Sequence, residues 1–558
     1  MTVVTVAFIV LTTIPLCVSE DVVVTTKNGE LRGRRVSTGQ TSYLDTFLGI
    51  PFAAPPVGPL RFKAPQPPAS WTGTRDSTRF SAMCPQLAGG NKTLDLPISE
   101  DCLYLNIYSP NAQTNDSLLP VMFWIHGGFY IVGSGASFNG TALTSRGVVV
   151  VTINYRLGAL GFLSTLDAAS PGNNGLLDQI LALKWVKDNI ALFHGDPNDV
   201  TIFGQSAGSG SVSLLRLSPL AQGLFSKAIM ESGVSLSHWA VARPGKEILS
   251  PLQYAQRLGT AVGCGSAVNQ SNAALVDCLR NMTVERILNG TNTVYIPNSQ
   301  GVPAFNPTVE TVVGVIPEDP RILLTRGSGS NVTSIRGINS KESAGVFLEQ
   351  PLSYFTLPNV EAEIAQFTKI HFFRDNPVTV ANKIVAQYIT SQHLTTAKQY
   401  REALIQINTD FTFTVPTILE QQHTAMIPGH APQYLYQFSY RASHDPSPSW
   451  AGAMHSSELP FVFGAPFMRD RFSDQYNHFN WTSEDSDVSG NMMTLWTSFA
   501  KDRNPSPHRV VGGIWAPYSL DSQDYLDIGS SLTITTNLAT DRVKFWKSIL
   551  DKAQVLIG

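Results

Sequence analysis

The sequence predicts an α/β protein with a mainly parallel central sheet covered by helices on both faces, and three observations carry that prediction. Short, almost wholly apolar runs recur in the N-terminal half: VMFWI at 121–125, VVVVTI at 148–153 and VTIF at 200–203. A helix-length pattern, LLDQILALKWVKDNIALF, lies between the last two. Strands apolar at nearly every position must be buried on both sides, and parallel neighbours need crossovers of helical length. Finally, 43% of the 558 residues are hydrophobic and only 15% are charged, enough to fill a large core.

Taken in chain order, residues 1–19 come first. MTVVTVAFIVLTTIPLCVS is an apolar run of signal-peptide length whose small terminal residues suit cleavage after Ser19, so the mature chain is expected to be secreted. The rival reading, a membrane anchor, is disfavoured by the short run, the lack of flanking positive charge and Pro15. The C-terminal DRVKFWKSILDKAQVLIG has helical periodicity and three lysines, unlike a spanning segment or a lipid-anchor tail. No membrane span is expected. With a net charge of -3 there is also no basic field for nucleic acid.

Removing Cys17 with the signal leaves Cys84, Cys102, Cys264 and Cys278. These form two sequence-local pairs, the pattern of short disulfide loops in an oxidising compartment. No C-x-x-C or nearby histidine spacing points to zinc. Eight N-x-S/T sequons, at Asn91, Asn115, Asn139, Asn269, Asn281, Asn289, Asn331 and Asn480, fit a glycoprotein. No internal repeat, low-complexity tract or long linker interrupts residues 20–558, so one domain is expected. After about residue 240 the pattern is less regular. Helical insertions over the sheet's carboxyl edge are expected there, where open α/β sheets bind ligands.

VTIFGQSAGSGSV at 200–212 runs a strand into Gly204, Ser206, Ala207 and Gly208, followed by the helix-compatible SGSVSLLRL. A sharp strand-to-helix turn strains its central residue and demands small neighbours, so this G-x-S-x-G reads as a nucleophile elbow with Ser206 exposed for attack.

Several longer stretches now matter together: FLGIPFAAPPVGPLRFKAPQPPASW, SEDCLYLNIYSP, NYRLGALGFL, GNNGLLDQILALKWVKDNIALFHGDPNDVTIFGQSAG, MESG and HSSELPFVFG. In these the chain resembles the type B carboxylesterase/lipase family of the α/β-hydrolase fold, which includes fungal lipases and cholinesterases. The resemblance spans nearly the whole mature chain. It implies a serine carboxylic-ester hydrolase, a small-molecule or lipid ester as substrate, and no metal, nucleotide or organic cofactor.

In this fold the triad runs Ser, acid, His along the chain. Eleven histidines leave that order undecided, and the resemblance chooses: GINSKESAGVF matches the acid's segment and gives Glu342, while AMHSSELPFVFG matches the histidine's and gives His455. His126, in HGGFY, is expected to shape the oxyanion loop rather than transfer protons. The backbone N–H of Ala207 is one expected oxyanion donor. Matching HGGFY to the family's H-G-G-G-F assigns Gly128 and Phe129 as the others, with a one-residue shift to Gly127 and Gly128 as the alternative. Gln205 stands where many relatives carry glutamate. Ser232 matches a family serine near the acid and histidine, a hydrogen-bond partner behind them or a plain strand-end serine; Trp239 matches an acyl-pocket tryptophan and with Phe129 suggests an apolar acyl site, the alternative being that either is core.

Some relatives retain this fold as binding modules after losing the nucleophile; here all three triad positions are filled. Candidate substrates are triacylglycerols, sterol or carotenoid esters, and aryl esters such as feruloyl esters. Cholinesterase activity is disfavoured, because the segment between Cys84 and Cys102 lacks the aromatic face that family branch uses for a quaternary ammonium. That segment, PQLAGGNKTLDLPISED, is only 17 residues long, with two adjacent glycines and few large apolar groups. The fungal lipases carry a long flap there, so an enzyme with little or no lid is expected.

Overall fold

The computed structural model describes residues 20–37, 43–86, 95–110, 117–243, 249–294, 303–372, 376–468, 480–506 and 513–551. The expected signal segment and the sequons at Asn91 and Asn115 lie outside these residues. Among these residues thirteen strands form one sheet. Seven of them, Val149–Ile153, Leu119–Ile125, Gly195–Gln205, Lys227–Glu231, Thr333–Asn339, Gln433–Phe438 and Asp524–Ile528, lie side by side and parallel. The expected strands at 121–125, 148–153 and 200–203 are the first three of these.

An antiparallel wing built from Glu20–Thr26, Gly29–Ser37, Tyr43–Pro51 and Tyr104–Pro110 extends one edge, and Leu532–Thr536 closes the other. Alternation along the central strands explains their unbroken apolar runs. Val121, Phe123 and Ile125 enter one core, while Met122 and Trp124 enter the core on the opposite face. The Asn174–Asn189 and Ala207–Leu217 helices cover the first face; the Ser483–Asp502 helix covers the second.

The expected insertions are the helices Leu357–His371, Pro377–Val385, Ala397–Thr409 and Val415–Ala425, which share a third core with the C-terminal Thr540–Leu550 helix. A buried ionic cluster ties this layer to the sheet. Glu420 accepts from Ser213 Oγ at 2.9 Å, Ser235 Oγ at 2.6 Å and Arg216 at 2.7 Å, with Arg336 at 3.4 Å. Burial and the neighbouring Arg216 charge push the Arg336 guanidinium down to about 9. Removing one member of such a cluster leaves the others buried without a partner, a loss on the order of 3–5 kcal/mol.

Disulfides join Cys84 to Cys102 and Cys264 to Cys278, as the spacing predicts. Asn269, Asn281, Asn289, Asn331 and Asn480 are exposed, whereas Asn139 is half-buried and its Oδ1 accepts from the backbone N–H of Thr141. Among the described residues no helix is long and apolar enough to cross a membrane.

Candidate active site

The parallel register brings four strand ends together. Ile125 pairs with Gly204, Gln205 with Glu231, and Glu231 with Gly337, so the segments that follow each strand emerge at one edge. Ser206 is the first residue past its strand, with φ 56° and ψ -124°, and the Ala207–Leu217 helix starts immediately after it. Its backbone N–H donates to Glu231 O at 2.9 Å. The small neighbours are obligatory. A Cβ on Gly208 would stand 2.0 Å from Ile125 O, and one on Gly204 would stand 2.6 Å from the same atom. This is the strained turn that the sequence predicts, and Ser206 is buried but for 7% of its surface.

Glu342 opens a short turn just beyond the Thr333–Asn339 strand. Its Oε1 accepts from Asn339 N–H at 2.7 Å and its Oε2 accepts from His455 Nδ1 at 2.6 Å. The backbone repeats the link, with His455 N–H donating to Glu342 O at 3.1 Å. Burial opposes a charged imidazole. The Glu342 carboxylate, with Glu458 behind it, outweighs that and raises His455 above its ordinary value. The Phe413 ring lies against the imidazole at 4.8 Å.

Ser206 Oγ makes no hydrogen bond among the described residues, and the Nε2 of His455 faces the Gln205 side-chain amide nitrogen at 3.3 Å instead. An amide N–H can only donate. Nε2 therefore carries the lone pair and Nδ1 the proton.

On the opposite side, Gly128 has φ 107° and Phe129 φ 62°. A Cβ on Gly128 would meet Val132 O at 2.1 Å, so glycine is required there. The N–H groups of Gly127, Gly128 and Phe129 have no acceptor among the described residues, and the Ala207 N–H, at a helix start, is likewise free of one. His126 supports this loop: Nδ1 bonds Gly127 O at 2.7 Å, its ring stacks on Tyr155, and burial pushes it down to about 4, so it stays neutral. Gln86 clasps the loop's far end at Gly133 through two bonds of 2.9 Å.

The other expected residues are placed differently. Ser232 lies beside the elbow with φ 58°, but its buried Oγ bonds neither Glu342 nor His455. Trp239 packs on Gly210 and Gly233 behind Phe413, with ring centroids 6.1 Å apart. Phe129 lines a cavity of about 340 Å³ that Glu342, His455 and Phe413 also line. Phe413 arrives on Asp410–Thr414, a single π turn between two insertion helices, the kind of local widening that recurs at functional sites.

Sequence reasoning missed two buried carboxylates. Glu458, three residues after His455, bonds Asn339 Nδ2; burial and then the Glu342 charge push it up to about 7. Glu231 accepts from Trp496 Nε1 at 2.7 Å, and burial with the Glu458 charge holds it well above the carboxylate range. The glutamates of MESG and HSSELP are the signal that could have found them.

The profile of the carboxylesterase family matches residues 20–546. The chain is 36% identical to "Carboxylesterase 1C" of Rattus norvegicus over 95% of its length and 94% of that protein's. It is 36% identical to "Fatty acyl-CoA hydrolase precursor, medium chain" of Anas platyrhynchos, covering 95% and 92%. It is also 33% identical to "Neuroligin-2" of Homo sapiens, covering 95% and 67%. The parallel sheet flanked by helices is the α/β-hydrolase fold, and the chain belongs to the carboxylesterase family.

Proposed function

We propose that this chain is a secreted serine carboxylic-ester hydrolase, acting on esters with apolar parts through an acyl-enzyme on Ser206. One observation carries the reading: His455 and Glu342, 113 residues apart, pair at 2.6 Å next to the turn that delivers Ser206. The names of the rat carboxylesterase and the duck acyl-CoA hydrolase support ester chemistry. The disulfides and the exposed sequons support an oxidising, extracellular setting.

In this reading Ser206 Oγ displaces the Gln205 amide at Nε2 and gives its proton to His455 as it attacks the ester carbonyl carbon. Glu342 holds the Nδ1 proton and stabilises the imidazolium. The N–H groups of Ala207, Gly128 and Phe129 receive the oxyanion, each contributing roughly 2.7–4 kcal/mol to the transition state. The C–O bond breaks and His455 protonates the leaving alcohol; water, deprotonated by the same imidazole, then releases the acid. The cavity beside His455, walled by Phe129, Phe413 and aliphatic side chains, takes an apolar part of the substrate.

The test is a series of p-nitrophenyl esters of increasing acyl length, run with the parent and with Ser206→Ala. Loss of the nucleophile lowers kcat by a factor on the order of 10⁶. Retention of activity within tenfold by a folded Ser206→Ala overturns the assignment, and a folded parent without turnover on any ester indicates a binding module.

A further inference from the structure

The segment 126–134, between the Leu119–Ile125 strand and the Gly135–Ser137 turn, carries the expected oxyanion donors yet belongs to neither helix nor strand. Its backbone is strained: Gly128, Phe129, Tyr130 and Gly133 take φ of 107°, 62°, 60° and 124°. Non-glycine residues such as Phe129 and Tyr130 persist in that region only where the surroundings over-determine them. Two buried amides do so. Gln86, 4% exposed, accepts from Gly133 N–H at 2.9 Å and donates to Gly133 O at 2.9 Å, while its second N–H reaches Cys84 O at 3.0 Å. Asn154 accepts from Gly135 N–H at 2.9 Å and Ser134 Oγ at 3.0 Å, and it donates to Cys102 O at 3.1 Å. Both amides tie the segment to the two residues joined by the first disulfide.

Gly133 is packed against the base of the donors. A Cβ there would stand 2.3 Å from His126 Nδ1 and 2.7 Å from Gly127 O, and that carbonyl bonds the same Nδ1. Gly128 O accepts from the N–H groups of Ile131 and Val132, each at 3.0 Å, which ties Gly128 to the turn that ends at Gly133. A shift of Gly133 is therefore passed to Gly127, Gly128 and Phe129. Resting on the reading of the chain as an ester hydrolase, we infer that Gln86 is a positioning residue for the oxyanion donors. It touches no reacting atom; its amide fixes Gly133 so that the N–H groups of Gly128 and Phe129 stay aimed at the ester oxygen as charge develops there. Cys84 and Cys102 thus serve hydrolysis from behind the site rather than as the ends of a cover over it.

The experiment compares the parent with Gln86→Met, which keeps the length of the side chain and loses all three hydrogen bonds. p-Nitrophenyl acetate gives kcat and KM. An aryl trifluoromethyl ketone gives a second readout: Ser206 Oγ adds to its carbonyl carbon, the serine proton passes to His455, and the carbonyl oxygen becomes an oxyanion facing the same donors. The alcohol of matched shape forms no oxyanion. Misplacing the donors by about 1 Å costs roughly a hundredfold, so kcat should fall by about that factor with KM little changed. The inhibition constant of the ketone should rise by a similar factor, and that of the alcohol should not move. The acid limb of the pH profile should stay in place, because His455 keeps its partners. Gln86→Asn, one methylene shorter, should show the same pattern and decides the matter if Gln86→Met does not fold. A folded variant with kcat within about threefold of the parent overturns the positioning role. So does a loss of kcat with ketone inhibition unchanged, or one in which the alcohol weakens as much as the ketone. A parent that neither turns over the ester nor is inhibited by the ketone overturns the hydrolase reading instead.

Discussion

Gln205 and His455, 250 residues apart in the chain, meet at 3.3 Å between the amide nitrogen and Nε2. The contact sets the lone pair of Nε2 toward the elbow, while Nδ1 keeps its proton and donates it to Glu342. In the mechanism proposed above it also sets a competition, with Ser206 taking the place of the amide before its own proton leaves.

A carboxylate in place of that amide would accept a proton from Nε2 and stabilise the imidazolium. Gln205→Glu should therefore move the acid limb of kcat/KM to higher pH, by roughly one unit or more. The parent limb already lies above the ordinary histidine value because of Glu342 and Glu458. Parallel pH profiles for parent and variant would remove Gln205 from control of the imidazole.

Glu342→Gln tests the other side of the ring. The new amide keeps an oxygen for Asn339 N–H but turns a donor toward Nδ1, forcing the proton onto Nε2, where it blocks the base. The expected loss in kcat is on the order of 10⁴ with little change in melting temperature. A loss under tenfold would mean that Glu342 serves packing alone.

The elbow was legible in the sequence because its causes are local: a buried strand, a strained turn and glycines that let Ile125 O approach. The disulfides were legible for a similar reason, since each closes a short loop. The cavity was not. Phe129, Glu363, Phe413 and His455 come from segments up to 326 positions apart and meet once the insertion has docked, with its Glu420 held by Ser213, Arg216 and Ser235. Gln205 was visible as a departure from its relatives, but its contact with Nε2 depends on a rotamer. The antiparallel wing was passed over because polar residues such as Asn106 and Asp45 interrupt its strands, which lack the unbroken apolar runs of the centre.

The loop closed by Cys84 and Cys102 spans a sequence separation of 18 and offers few large apolar side chains. A flap that opens on oil needs an apolar underside. The cavity moreover has Val346, 71% exposed, on its wall. Rate against concentration of a short triacylglycerol, taken through its solubility limit, should follow a smooth hyperbola. A jump in rate at the first appearance of droplets would reveal interfacial activation.

Glu458 makes a separate prediction about stability. In the folded protein burial and Glu342 push its carboxyl from 4.5 up to about 7. Below pH 4.5 both folded and unfolded chains hold the proton, and the group has no effect on the balance. Between 4.5 and about 7 the unfolded chain ionises while the folded one does not, so each step up in pH favours unfolding; above 7 the cost is constant. Its full size is on the order of 3 kcal/mol. Glu231 is shifted the same way, so the parent loses stability through both groups. Glu458→Gln removes one of them while its side-chain oxygen can still accept from Asn339. The variant should match the parent near pH 4.5, exceed it increasingly up to about pH 7 and keep a constant lead from there to pH 8, as read from melting temperatures across that range. A difference that stays constant with pH, or a variant less stable at pH 8, would mean that Glu458 is ionised in the folded protein and balanced by the imidazolium of His455.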